Sequence, residues 1–208
     1  MSNWRNTGIT TIILLIVILL IAMTVTSTIT QETTGTITEH NYDQMVDETI
    51  DEISTYIQIR DQKGKFSDLN GEKKIGKIAL LISPLVSQDI DLTGLMIQLD
   101  NGETVRMLNY IGFSSNLESA SLFKQSIWDS LIEDNFGFIT IYDLDNSITE
   151  YNLINDYSDN TYLVFKLPGD MALAKHDRIT VTLFPSTGIT RATILKAPMP
   201  IKSVITFE

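Results

Sequence analysis

Ile12-Ile13-Leu14-Leu15-Ile16-Val17-Ile18-Leu19-Leu20-Ile21-Ala22-Met23 is the stretch on which the reading of this chain turns. No charged residue occurs between Arg5 and Glu32. Ile9 to Ile29 therefore offers roughly 21 helical residues, about 31 Å at ~1.5 Å per residue, which matches a hydrocarbon core of ~30 Å. A cleaved secretory signal also starts with a basic residue and an apolar run. Here the run is followed by Thr24-Val25-Thr26-Ser27-Thr28 rather than by a small-x-small cleavage site, so the segment is expected to stay in the working protein.

Beyond a Thr-rich passage that includes Gly35, the cheapest place for a bend, the pattern becomes amphipathic. Tyr42, Val46, Ile50, Ile53 and Ile57 recur at helical spacing along one face, next to a stripe of Asp43, Asp47 and Asp51 that reads as solvated. The expectation is one long helix over 9–56, apolar all round over 9–29 and amphipathic over 37–57, preceded by a short head or leader remnant at 1–8. The apolar face over 42–57 is assigned to packing between helix and head.

The remainder, 57–208, changes period. Ile75–Ile82 ends at Ser83-Pro84, and Leu95–Leu99 and Thr104–Leu108 flank Asp100-Asn101-Gly102-Glu103, a hairpin signal. Further short runs follow at Phe138–Tyr142, Tyr162–Phe165, Arg178–Phe184, Thr190–Leu195 and Ser203–Phe207, punctuated by Pro168-Gly169-Asp170 and Pro185-Ser186-Thr187-Gly188. These predict an antiparallel β-sandwich or barrel, Ig-like in style, with Leu117–Leu131 as a short helix or insertion. The fold class is α+β: a long hydrophobic N-terminal helix feeding an all-β head.

Composition excludes several functions. A net charge of −11 and a pI near 4.5 argue against nucleic-acid binding, which needs clustered Lys and Arg. The chain has no cysteine, so disulfides, thiolate metal sites and cysteine nucleophiles are absent. No Asn-x-Ser/Thr sequon occurs. The two histidines, His40 and His176, belong to no catalytic or metal pattern, no phosphate-binding glycine loop occurs, and no enzyme activity is expected. The carboxylate pairs Asp89/Asp91, Asp143/Asp145 and Asp156/Asp159, with Asn146 and Asn160 beside the last two, carry oxygens at spacings that suit Ca²⁺. Asp143–Ser147 lacks the glycine and distal glutamate of an EF-hand loop, so these are read as solvated loop acids, with a structural Ca²⁺ as the alternative and no other cofactor.

Gly8-Ile9-Thr10-Thr11-Ile12-Ile13-Leu14 resembles the opening of the archaeal flagellins, the archaellins. Ile90-Asp91-Leu92-Thr93 with Leu95–Leu99, Leu167-Pro168-Gly169-Asp170, and Ile179–Pro185 with Gly188 resemble later passages of that family, in family order. The resemblance implies an extracellular filament subunit used for swimming, a homopolymer or a copolymer with a paralogous subunit. It implies that Ile9, Ile12, Ile13, Leu15, Ile16, Leu19, Leu20 and Met23 pack in the filament core. It also implies a single-span membrane precursor trimmed by a leader peptidase around Arg5 and Gly8, and passage through export and motor machinery. Arg5 is the only basic residue before the run, which is sparse for a leader of this type. The alternatives are an adhesive type IV-like pilin, and a membrane-anchored β domain acting as an accessory or stator component.

Overall fold

A computed structural model describes residues 45–46, 49, 56–69, 72–199 and 203–207. The chain divides into two compact units, Met1–Glu48 and Thr49–Glu208. Met45, Val46 and Thr49 are helical. The apolar run and most of the expected long helix lie outside the described residues, and among the described residues no helix is long and apolar enough to cross a membrane.

The second unit is a β structure. Nine strands form one sheet in the order β10-β9-β4-β5-β6-β8-β2-β1-β11. They are β1 (Ile57–Leu69), β2 (Glu72–Pro84), β4 (Met96–Asp100), β5 (Val105–Asn116), β6 (Asn135–Tyr142), β8 (Asn160–Lys166), β9 (Arg178–Phe184), β10 (Arg191–Lys196) and β11 (Val204–Thr206). Two short strands, β3 (Ile90–Asp91) and β7 (Leu153–Ile154), pair separately. The large sheet curls until strands far apart in its order approach each other. Gln62 Nε2 on β1 donates to Thr193 Oγ1 on β10 at 2.8 Å, and the Arg191 guanidinium lies 5.9 Å from the Tyr56 ring centre.

The expected β head is thus present, and of the two expected forms it is the rolled, barrel-like one rather than the two-sheet, Ig-like sandwich. All the long strands share one rolled sheet, and one pair, β5 with β6, is parallel. A parallel pair cannot be joined by a tight hairpin and needs a crossover. Residues 117–134 supply it, with a 3₁₀ turn at Leu122–Lys124 and a one-turn helix α1 at Ile127–Ser130. This is the region expected to be a short helix or insertion.

The crossover gives the sheet two apolar cores. Inside the roll, Ile78, Leu80 and Ile82 of β2, Phe136 and Phe138 of β6, Leu163 and Phe165 of β8 and Ile179, Val181 and Leu183 of β9 pack together. On the outside of the central strands, Ala79, Ile139, Tyr162 and Val164 pack under Phe123, Ile127, Trp128 and Leu131 of the crossover. Strand β8 is buried at five successive positions, Thr161–Phe165, because each of its faces meets one of these cores.

One of the two register shifts between β1 and β2 decides which side chains face the core. Phe66 pairs with Ile75 but Lys65 pairs with Lys77, so Gly76 is an extra residue, a β-bulge. The bulge lets Ile75 and Ile78 both face inward and turns Lys77 outward, where its Nζ stands 5.0 Å from the Trp128 ring centre. Without it, strict alternation would aim a lysine at the core.

Gly64, on β1, meets the opposite need. A Cβ there would lie 2.9 Å from Ile75 Cγ2 and 2.9 Å from two ring atoms of Phe207, the residue that follows β11 and donates its N–H to Gln62 O at 2.9 Å. Gly64→Val is expected to cost about 1–3 kcal/mol, as overpacked cores do. It should also loosen β11 first. Urea denaturation would give the cost, and hydrogen exchange at Phe207 would show where it falls; unchanged exchange there would contradict the contact.

Candidate functional site

Among the described residues, the richest cluster of chemically active side chains is assembled where β6 ends and β8 begins. These strands are neighbours with Tyr142 opposite Asn160, so Asp143, just past β6, and Asp159, just before β8, are brought side by side. Asp145 joins them two residues later. Carboxylate oxygens of Asp143, Asp145 and Asp159 lie within 4.8 Å of one another. Asp159 is 1% exposed, Asp143 is half-buried and Asp145 is exposed.

Each carboxylate also holds backbone. Asp143 accepts from the N–H groups of Ser147 and Ile148, both at 3.0 Å, and so ties down the first turn of α2 (Ser147–Tyr151). Asp145 accepts from Ser147 N–H at 3.0 Å and from Asn155 Nδ2 at 2.8 Å. Asp159 accepts from the N–H groups of Asn155 and Asp156, both at 3.0 Å. Asn146 enters the left-handed region at φ 60°, where Asn is tolerated better than most residues. The three carboxylates therefore organise the loops on either side of β7.

No Lys or Arg occurs from Gln125 to Phe165, so the cluster's negative charge has no basic residue from its own loops. Burial pushes the Asp143 carboxyl above the ordinary range, against the N–H of Ile148 that lowers it. Asp145 moves the other way, to about 2, chiefly because the Asn155 side-chain amide donates to its ionised form. The donor set is all oxygen, the type that suits a hard cation such as Ca²⁺ rather than a soft transition metal.

The sign of the pH dependence follows from Asp145. Its pKa is below the unfolded value of ~3.9, so its contribution is present above about pH 4 and is lost as pH falls toward 2. Asp143 has the opposite sign: its cost appears as it ionises and is relieved in acid. Asp145→Asn is expected to flatten the acid-side decline in the urea midpoint between about pH 4 and pH 2. A decline as steep as in the parent protein would rule out the Asn155 contact as its source.

The other sequence-derived residues divide between described and undescribed parts of the chain. Ile9, Ile12, Ile13, Leu15, Ile16, Leu19, Leu20, Met23, Arg5, Gly8, Tyr42, Ile50 and Ile53 lie outside the described residues. Val46 is helical and 53% exposed. Ile57, expected to close the helical face, instead opens β1 and is 1% exposed in the inner core. The strand prevails there because Ile57 pairs with Pro84 and Ile59 with Ile82, while Tyr56 O accepts from Leu85 N–H at 3.1 Å. His176 is exposed, in the left-handed region at φ 70°. In the sequence, Asp143/Asp145 and Asp156/Asp159 read as separate pairs. The available signal was an Asp-Asn step at the border of each of two strands, but their adjacency depends on sheet order.

Comparison with known proteins bears on most of the chain. A family model described as archaeal-type flagellin matches residues 6–194. Flagellin B3 of Methanocaldococcus jannaschii is 27% identical over 135 residues, a match that spans 61% of this chain and 61% of that protein. Among solved structures, the archaeal flagellin FlaB1 of Methanocaldococcus jannaschii is similar with a TM-score of 0.62 at 20% identity, covering 73% of this chain and 95% of that one. The archaeal flagellum of Methanospirillum hungatei strain JF1 gives a TM-score of 0.54 at 10% identity, covering 94% of this chain and 98% of its own. At such identities these two likenesses establish fold.

Proposed function

We propose, from the premise that this chain belongs to the archaeal-type flagellin family, that it is a structural subunit of an extracellular archaellum filament used for swimming. The observation that carries the reading is the extent of the family match, 6–194, which takes in both the apolar run and the β head. The reading calls for no catalysis and no cofactor. Its partners are copies of itself or a paralogous subunit, with the membrane, a leader peptidase acting near Arg5 and Gly8, and export and motor machinery before and during assembly. Nucleic acid has no part in it.

The physics of the apolar run supports the same sequence of events. Burying ~1,000 Å² of such a helix is worth tens of kcal/mol gross at about 25 cal/mol per Å². A segment of that kind leaves lipid only for a receptor equally apolar, and a bundle of identical helices is one. Membrane exit and polymerisation are then a single step. Head-to-tail contacts that do not close on themselves propagate as an open helical array. The β heads form the outer layer, and the N-terminal helix, with the packing residues Ile9, Ile12, Ile13, Leu15, Ile16, Leu19, Leu20 and Met23, forms the core. Tyr42, Val46, Ile50 and Ile53 continue it toward the head.

Shearing cells that express the protein tests this directly. The chain is expected in the supernatant as long thin filaments seen by negative stain. Retention in the membrane pellet, with no filaments, would replace the proposal with that of an anchored β domain.

A further inference from the structure

The outer surface of the rolled sheet is closed on one half and open on the other. Over β2, β6 and β8 the crossover lays down Trp128 and its neighbours. Over β10, β9, β4 and the first half of β5 no such aromatic cover exists among the described residues, whereas Ile111, farther along β5, packs under the crossover; on the uncovered part apolar side chains stand in the open. Met96 is 46% exposed, Val105 58%, Met107 40% and Ile194 56%. The strand register places them on one face. Ile194, Thr180, Asp100 and Val105 form one row across the four strands, and the adjacent row ends on Met107.

The charge on this face is unlike that of the chain. The protein carries 26 acidic residues and a net charge of −11. Outward positions of the four strands include one carboxylate, Asp100, which already accepts from Gly102 N–H at 2.7 Å, and the bases Arg178 and Lys196, which pair in register at one end. Identical acidic subunits repel wherever acid meets acid. They can come together closely where acids are missing and apolar groups replace them.

We infer that the outer face of β10-β9-β4-β5 is the surface through which one head touches a second copy of this chain in the filament. The inference rests on the filament reading and adds to it which face of the head is buried. Its size fixes how it acts. Four strands at ~4.8 Å spacing and three outward residues along each give roughly 300–400 Å², about half of the ~800 Å² per partner that a stable free complex buries. Isolated heads therefore stay apart. Copies already held side by side by their helices have a high effective concentration, and in that setting a contact of this size adds cohesion. Salt screens the repulsion between the surrounding acids without weakening apolar burial, so the contact tightens as ionic strength rises.

The absence of cysteine makes the test clean. Met107→Cys and Ile194→Cys are compared with Leu144→Cys, a residue 79% exposed among the acidic loops, in full-length protein as sheared filaments and as detergent-dissociated subunits. A maleimide probe is expected to label positions 107 and 194 at least tenfold more slowly in filaments than in subunits, and position 144 at similar rates in both. Equal rates at 107 and 194 in the two states would overturn the inference, and equal protection at 144 would overturn its assignment to this face. A second comparison covers poor assembly of the cysteine variants. Met107→Asp with Ile194→Asp should shorten filaments several-fold while leaving the thermal transition of the head unchanged, whereas Ile132→Asp, at a residue 64% exposed elsewhere, should not. Filaments of normal length from the double variant would also overturn it. If the parent protein forms no filaments at all, the filament reading has failed and this inference falls with it.

Discussion

Trp128→Ala is expected to remove about 3–5 kcal/mol of stability, the range for truncating a buried tryptophan. A typical domain has a margin of ~5–15 kcal/mol, so the loss would be a large fraction of the total. Trp128 is 1% exposed, its ring centre lies 5.5 Å from that of Phe123, and its Nε1–H donates to Leu122 O at 2.8 Å. It is therefore the side chain that both fills the outer core and ties the 3₁₀ turn to α1. Lys77 Nζ stands beside the same ring, and burial there lowers the lysine's pKa. Truncation should strip the crossover from β2, β6 and β8 and expose Tyr162 and Val164, while the inner core around Phe136, Phe138 and Phe165 stays intact. Urea denaturation would measure the loss, and hydrogen exchange would place it: faster exchange is expected over 117–134 and slow exchange should persist in β8. A loss below about 1 kcal/mol would mean that the outer core contributes little.

The parts of this architecture that were readable from sequence are those fixed by short-range chemistry. The β4–β5 hairpin follows from Asp100-Asn101-Gly102-Glu103, where Gly102 takes φ 88° and the Asp100 and Asn101 side chains accept the N–H groups of Gly102 and of Glu103 and Thr104. The runs around Phe138, Tyr162, Arg178, Thr190 and Ser203 are strands for similar reasons. Strand β1 was hidden, because Ile57-Gln58-Ile59-Arg60 continues an isoleucine spacing that fits a helix and the next residues are mostly polar. Its identity comes from β2, with which it pairs over almost its whole length. Likewise the single rolled sheet, with a parallel β5–β6 pair, depends on where the crossover packs, which no local pattern encodes.

The same division applies to the candidate site. Asp143 and Asp145 are close in sequence, and their proximity needed no fold. Asp159 reaches them only because β6 and β8 are neighbours, and that adjacency also buries it to 1% exposure. The residues proposed for the filament core are the reverse case: their apolar chemistry is legible from composition alone, and they lie outside the described residues.

Ile16→Asp and Leu19→Asp are expected to abolish filaments while leaving the protein in the membrane and its head folded. The magnitudes separate these outcomes. An Asp at the centre of a membrane helix costs ~2.5–3.5 kcal/mol on insertion scales, whereas each Leu, Ile, Phe or Val contributes about −0.3 to −0.6 kcal/mol. With nine other Leu, Ile and Val residues in Ile12–Met23, one aspartate leaves insertion close to balance rather than forbidden. In a polymer the same aspartate would recur in every copy, packed against other helices with neither water nor a counter-ion, where burying an unpaired charge costs more. Membrane residence should thus survive where packing fails. Head integrity is checked on a fragment that keeps Tyr56 and Ile57, because Ile57 belongs to the inner core and Tyr56 O holds the Leu85 N–H. A fragment beginning at Gln58 would be destabilised for reasons unrelated to the filament. Filaments of normal number and length from either aspartate variant would show that these residues do not lie in a dry helical core.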